Sequence, residues 1–176
     1  MAWIAALDLP PDAPILDVGG GASTLVDDLL GAGFEAVSVL DLSERALSTA
    51  RVRLGDRADS VAWLQGDVTR VALPSRHFVL WHDRATFHFL VEPEHRRSYR
   101  DRLRAALRIG GHLIIATFAP EAPPQCSGLP VQRYDVAELA CTLGPGFELV
   151  HHQTEVHTTP WGLEQMYLYC QFRRVP

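Results

Sequence analysis

Three aspartates recur along the first part of this chain, each beside a short apolar run: Asp17, Asp41 and Asp67. The first stands two residues before Gly19-Gly20-Gly21. Glycines at such a turn let the backbone come close to a ligand, because no Cβ intervenes. A helix that follows them offers unpaired N–H groups to a negatively charged group. Carboxylates around the turn can hold an ammonium group or accept hydrogen bonds from ribose hydroxyls. Farther on, His82, Asp83 and His88 are candidates for taking or giving a proton. Together these residues predict a nucleotide-like cofactor site with acid–base groups beside it.

The elements that must position them alternate. Apolar runs at 15–18, 36–40, 60–65, 77–81 and 112–118 read as strands, and the last is apolar on both faces, as a buried central strand needs. Helical stripes lie between them: Leu25, Leu29 and Leu30; then Ala46, Leu47, Ala50 and Leu54 behind Ser43 as N-cap; then Tyr99, Leu103, Ala106 and Leu107 after Pro93, closed by Gly110-Gly111. The segment 120–130 holds four prolines and reads as a long loop, and a helix follows at 135–143. Two final strands, 147–156 and 164–174, flank a turn at Thr159-Pro160-Trp161-Gly162 and suit an antiparallel pair. The expected fold is α/β: a doubly wound, mostly parallel sheet of about seven strands ending in that pair.

Composition narrows the function classes. The 176 residues fit one domain, 1–176, and carry a net charge of −5, with no basic excess to invite nucleic acid. All sixteen basic residues are arginine. Those at Arg96, Arg97, Arg100, Arg102, Arg104 and Arg108 share a helix with an apolar stripe and read as a solvated face. Cys126, Cys141 and Cys170 are odd in number and widely spaced, which predicts reduced thiols in a cytoplasmic protein. No apolar stretch is long enough for a membrane span. The eight histidines match no metal-ligand spacing, so no metal is expected.

Two classes of doubly wound fold place glycines after the first strand. The dinucleotide fingerprint wants Gly at its sixth position, and here, counting from Gly19, that position is Thr24. Asp17 would repel a pyrophosphate and could help hold the ammonium of S-adenosylmethionine (SAM). Asp41 suits the ribose of either cofactor, and Asp67, in Gly66-Asp67-Val68, is in reach of an adenine amino group. The antiparallel terminal pair also weighs against a dehydrogenase half.

At nearly full length the sequence resembles the class I SAM-dependent methyltransferases. Ile15-Leu16-Asp17-Val18-Gly19-Gly20-Gly21 resembles their first motif, Val39-Leu40-Asp41-Leu42-Ser43 the acidic second and Gly66-Asp67-Val68 the third. Leu107-Arg108-Ile109-Gly110-Gly111-His112-Leu113 resembles the "LRPGG" signature, with Ile109 in place of Pro. Asp83-Arg84-Ala85-Thr86-Phe87 and Ala116-Thr117-Phe118-Ala119 are similar to "DKGTFD" and "TFA" of the methyltransferase-like group that includes lysine methyltransferases of elongation factor 1A and citrate synthase; His88 replaces that pattern's second acid. Thiopurine and tellurite methyltransferases share the overall plan.

The resemblance implies SAM as cofactor, S-adenosylhomocysteine as product, and a small-molecule or protein acceptor. It implies that Gly19, Gly20 and Gly21 admit the methionine moiety, with Asp17 at its amino group. It implies Asp41 at the ribose, Leu42 on an adenine face, Asp67 with Val68 at the adenine edge, and His82-Asp83 beside the sulfonium. Such enzymes carry an N-terminal segment that closes over the ligands; only 14 residues precede the first strand here, so a short lid at 1–13, with Trp3 its sole aromatic, is expected. Candidate bases are Asp83, His82 and His88. Acceptor selection is expected from Cys126, Arg133, Tyr134 and Trp161. The competing readings are a non-catalytic SAM- or nucleotide-binding module and an NAD-dependent oxidoreductase.

Overall fold

The computed structural model describes residues 1–159 and 161–176, so Pro160 of the predicted turn lies outside the described residues. The larger sheet has seven strands: β1 (Ile15–Val18), β2 (Val37–Asp41), β3 (Val61–Gln65), β4 (Phe78–Arg84), β5 (Leu107–Phe118), β8 (Phe147–Thr158) and β9 (Glu164–Arg174). Their order is β3-β2-β1-β4-β5-β9-β8. β1 to β5 run parallel, while β9 is antiparallel to β5 and β8 antiparallel to β9. The doubly wound plan with its antiparallel pair is therefore as the alternation predicts. The winding reverses between β1 and β4, and the crevice beyond the carboxyl ends of these strands is where such sheets bind ligands.

Successive strand residues face opposite sides, so each strand feeds two cores. One side packs Ile15, Val39, Leu80 and Ile114 against Leu29 of α2 (Leu25–Gly31) and Leu47 of α3 (Glu44–Leu54). The other packs Leu16, Trp81 and Leu113 against Tyr99 and Leu103 of α4 (Pro93–Ala106) and Leu139 of α5 (Val136–Leu143). Ser43 caps α3, its side chain accepting from the Ala46 N–H. At α5, Asp135 and Glu138 form a capping box. No helix among the described residues is long and apolar enough to cross a membrane.

Three local expectations need correction. β4 does not stop at Trp81, because His82, Asp83 and Arg84 continue the ladder against Ile114, Ile115 and Ala116. α4 ends at Ala106, not at the glycine pair, and β5 starts at once; its register against β4 then shifts between Phe78 and Leu80. Gly111 sits at that irregularity, where a Cβ would stand 2.9 Å from the Arg108 carbonyl oxygen and 3.0 Å from that of Val79. The proline-rich loop contains a hairpin, β6 (Gln125–Cys126) with β7 (Leu129–Pro130). Its turn is Ser127-Gly128, with φ of 51° and 78°, the pair of positive values that a two-residue hairpin turn favours.

The N-terminal segment forms α1 (Ala2–Ala5). Ile4 is buried in the core on the α2–α3 side, and the Trp3 ring lies 4.7 Å from that of His151 and 6.1 Å from that of Tyr169. The segment thus packs against β8 and β9 through Trp3 and joins the α2–α3-side core through Ile4.

Candidate functional site

The glycine turn is folded around three side chains, those of Thr86, Asp17 and Asp41. Gly19 has φ of 73°, and a Cβ there would collide with the Thr86 hydroxyl, which itself donates to the Val18 carbonyl at 3.2 Å. A Cβ on Gly20 would collide with Asp17 Oδ2, and one on Gly21 would lie 2.7 Å from Asp41 Oδ2. Each glycine thus admits an oxygen-bearing side chain to the turn, and the turn is pinned in return. Gly21 N–H donates to Asp41 Oδ2 at 2.9 Å, and Ser43 N–H donates to Asp41 Oδ1 at 2.7 Å. Each carboxylate oxygen keeps a further lone pair for another donor.

A cavity of about 400 Å³ opens at this edge. It is lined by Val18, Gly19 and Leu40 from the first two strands and their turns, by Asp41 and Leu42, and by Gly66, Asp67 and Val68. Of the predicted cofactor residues, Gly19, Asp41, Leu42, Asp67 and Val68 meet here. Asp67 Oδ1 accepts from the Thr69 N–H (2.8 Å) and hydroxyl (2.7 Å). Burial pushes its pKa up, but these bonds and the charge of Arg70 outweigh burial and hold the carboxyl below its usual value. The far wall is Ala85, Thr86, Phe89 and Leu90, closed by Leu129 of the hairpin. Sequence reasoning missed these five. The signal for four of them was the unbroken stretch after Asp83, where Ala85 takes φ of 66°.

Asp17, Gly20, Gly21 and His82 stand behind this cavity. Asp17 is 2% exposed, and its Oδ1 lies 2.7 Å from His82 Nδ1 across the β1–β4 ladder. Its Oδ2 is buried with no partner. Asp83, one residue on, points to the other side and is fully enclosed. Its Oδ1 accepts from the Thr86 and Phe87 N–H groups (2.9 and 3.2 Å), and its Oδ2 accepts from the Tyr99 hydroxyl at 2.7 Å. The Tyr99 oxygen accepts in turn from Trp81 Nε1 at 2.9 Å. Burial raises the Asp83 pKa to about 6 against these bonds. Asp83 lines no cavity; it shapes the 85–90 wall from below.

His88 is also buried, between the rings of Phe89, Phe118 and Tyr167. Its Nδ1 accepts from the Phe118 N–H at 3.3 Å, and burial lowers its pKa to about 4. The structure does not gather the four predicted acceptor residues at the cavity. Cys126 lies in β6, and Arg133 donates to the Pro120 and Ala122 carbonyls (2.8 and 3.0 Å), bracing the loop. Tyr134 is buried against Phe87, its pKa pushed up to about 12 by burial, and Trp161 is 85% exposed. Their loop reaches the cavity through Leu129. Among the described residues no three His, Cys, Asp or Glu side chains converge as metal ligands.

The lining fits a nucleoside. Asp41 is placed for hydroxyl donors, apolar Leu42, Val68, Phe89 and Leu90 can cover a flat base, and Asp67 offers an oxygen at its edge. The unpartnered Asp17 Oδ2 next to Gly20 suits an ammonium arriving past Gly19.

The chain resembles known methyltransferases in sequence and in fold. The sequence matches the methyltransferase-domain family over residues 15–111, more than half of the chain. The eEF1A lysine and N-terminal methyltransferase of Mus musculus is 26% identical over 117 residues, 63% of this chain and 17% of that protein. Malonyl-(acyl-carrier protein) O-methyltransferase of Paenibacillus sp. (strain JDR-2) is 33% identical over 110 residues, 60% of this chain and 39% of that protein. The chain thus matches well under half the length of these curated relatives. In fold, it superposes with a TM-score of 0.74 and 22% identity on 1,6-didemethyltoxoflavin-N1-methyltransferase of Burkholderia thailandensis, solved with 1,6-didemethyltoxoflavin and S-adenosylhomocysteine bound. That match covers 98% of this chain and 74% of the other.

Proposed function

This chain belongs to the methyltransferase-domain family, and from that premise we propose that it transfers the methyl group of SAM to a small-molecule or protein acceptor. The carrying observation is the cavity in which Gly19, Asp41, Leu42, Asp67 and Val68 meet at the strand-order reversal. SAM, when bound, supplies an already activated methyl group, which leaves the protein to orient the acceptor and exclude water. Asp41 holds the ribose hydroxyls, using the lone pairs left free by Gly21 and Ser43. Leu42 and Val68 cover the base, and Asp67 accepts from its amino edge. Gly19, Gly20 and Gly21 let the amino-acid end pass close to the backbone, and Asp17 Oδ2 receives its ammonium. His82 stands where the acceptor enters. Asp83 and His88 position the wall without touching ligand. Residues 1–176 act as one domain, and the free thiols of Cys126, Cys141 and Cys170 support a reducing, cytoplasmic setting.

Titration calorimetry tests this reading. SAM and S-adenosylhomocysteine are expected to bind and NAD not to; binding of NAD alone would overturn the reading in favour of an oxidoreductase. Asp41→Ala is expected to weaken SAM binding by roughly 1.5–3 kcal/mol, the range for hydrogen bonds to a charged group. An unchanged affinity would remove Asp41 from the ribose site. Binding without methyl transfer to any amine, thiol, carboxylate or lysate protein would favour the non-catalytic module.

A further inference from the structure

β8 is the last strand of the large sheet, and its outer edge pairs with nothing. The Thr159 N–H donates to the Leu163 carbonyl and closes the β8–β9 hairpin. Bonding alternates along the ladder from there, so the odd-numbered residues His151 to His157 bond to β9 and the even-numbered ones do not. β5 gives the same phase from the other side: Met166, opposite Val156, accepts from the Ala119 N–H and so faces β5. The N–H and C=O groups of His152, Thr154 and Val156 therefore point away from the sheet, and nothing else among the described residues bonds them. Such edges are commonly blunted by proline, by basic side chains or by a bulge. Phe147–Thr158 contains no Pro, Lys or Arg, and its one irregularity, between Leu149 and His151, leaves the edge regular from His151 onward. Glu148 to Val156 are all exposed.

The residues of this edge answer one another about a two-fold axis, which is what pairing with a second copy requires. In antiparallel self-pairing each residue meets a fixed mirror position, and the sheet faces match only when both numbers are odd or both even. An axis at Thr154 sets His151 opposite the partner's His157, and one at Glu155 sets two carboxylates against each other. An axis at Gln153 sets His151 opposite the partner's Glu155 on both sides, which is the one placement that gives the acid a donor. These odd-numbered pairs have no backbone bonds between them, so their side chains stand closest. His152 and the partner's Thr154 then exchange N–H···O bonds on each side of the axis. The His151 ring is already held against Trp3, 4.7 Å between ring centres. At the ends of the ladder the exposed Val156 comes opposite the partner's exposed Val150, and the hairpin tip carries exposed Trp161 and Leu163 past the partner's Phe147. These side chains add apolar area to a short ladder.

We propose that this protein forms a two-fold dimer through β8, the two sheets joining into one across an axis at Gln153. The assembly also borders a cavity of about 420 Å³ that Gln153 and Glu155 line together with Trp3, His82 and Tyr169. The partner's Gln153 and His151 stand opposite those two lining residues and so complete its rim.

Sedimentation velocity across a wide concentration range is expected to show reversible passage to twice the 19.5 kDa protomer mass. Thr154→Pro removes an outward N–H that β9 does not use, and is expected to weaken the dimer at least about tenfold while the circular dichroism spectrum stays unchanged. His151→Glu, which meets Glu155 with a second carboxylate, should also weaken it, and His151→Glu combined with Glu155→His should restore it. A cross-link fixes the register. With Cys126 and Cys141 replaced by serine, Gln153→Cys is expected to give a disulfide-linked dimer under oxidised glutathione, because the axis brings the two sulfurs together, and Glu155→Cys is not. Should Thr154→Pro fail to fold, the cysteine pair decides alone. A monomer at every concentration would overturn the proposal and leave the edge to a strand of another protein. A dimer indifferent to Thr154→Pro and to the charge exchange would overturn it as well, being held elsewhere. Cross-linking through Glu155→Cys instead of Gln153→Cys would overturn the axis.

Discussion

His82 and Asp83 are neighbours on β4 and point to opposite sides of the sheet, where each meets a hydrogen-bonding partner. Around Asp83 the network is closed: two backbone N–H groups and the Tyr99 hydroxyl occupy the carboxylate, and Tyr99 in turn takes the Trp81 indole. On the His82 side bonding is incomplete. Asp17 Oδ2 has no partner, and His82 Nε2 is left over beside a cavity. A closed network in the core specifies shape, whereas an open one at a cavity wall retains capacity for a ligand. That difference assigns the two residues different work, although they are adjacent and both titratable.

The largest test removes the closed side. Asp83→Ala leaves a buried hydroxyl, the buried Phe87 N–H and the partly buried Thr86 N–H without an acceptor, and is expected to lower unfolding free energy by roughly 3–5 kcal/mol in urea titration. Asp17→Ala, which breaks the open side, should lower it by less. A reversed order would break the comparison.

Acidity sharpens it further. Asp83 has a folded pKa of about 6, above its ordinary 3.8, so its contribution is greatest below 3.8 and is lost as pH rises through about 6. His88 has a folded pKa of about 4, below its ordinary 6.5, so its contribution is present above 6.5 and is lost as pH falls through about 4. Each spans about 3 kcal/mol, and the two oppose one another between about pH 4 and 6. Stability across that window is therefore expected to be nearly flat. His88→Phe should unmask the Asp83 slope, the urea midpoint falling as pH rises. A midpoint that instead rose through the window would show that Asp83 is not the buried acid.

How much of this was legible in the sequence follows from what is local. Asp41 and Asp67 could be read because each closes an apolar run, and a run fixes where a strand ends. His82, Asp83 and Arg84 look like loop residues, yet they continue β4 because β1 and β5 lie on either side and complete the ladder through Asp83. That error alone made His82 and Asp83 look like one site, since alternation separates them only if they lie within a strand. The hairpin at Ser127-Gly128 was hidden by four prolines around it. Ala85, Phe89 and Leu129 line the cavity through tertiary placement that no periodicity records. Trp3 packs beside Tyr169, about 166 residues away in sequence, a contact set by topology that no local pattern records.

The smallest test concerns the glycine turn that roofs the open side. Gly20 is needed because Asp17 Oδ2 occupies the space of its Cβ, whereas Gly31, at the end of α2, has nothing within 4 Å of the corresponding point. Gly20→Ala must push Asp17 away from His82 or distort the turn, and is expected to destabilise by about 1–3 kcal/mol, as overpacking does. Gly31→Ala meets no obstacle and restricts the unfolded chain, so a gain of about 0.4–1 kcal/mol is expected. The same pair read by histidine NMR separates turn from dyad: Gly20→Ala should disturb the His82 tautomer signal and Gly31→Ala should not. A Gly20→Ala protein with undiminished stability and an unchanged His82 signal would mean that the turn can move off Asp17, and the open side would then owe its vacant oxygen to something other than the roof above it.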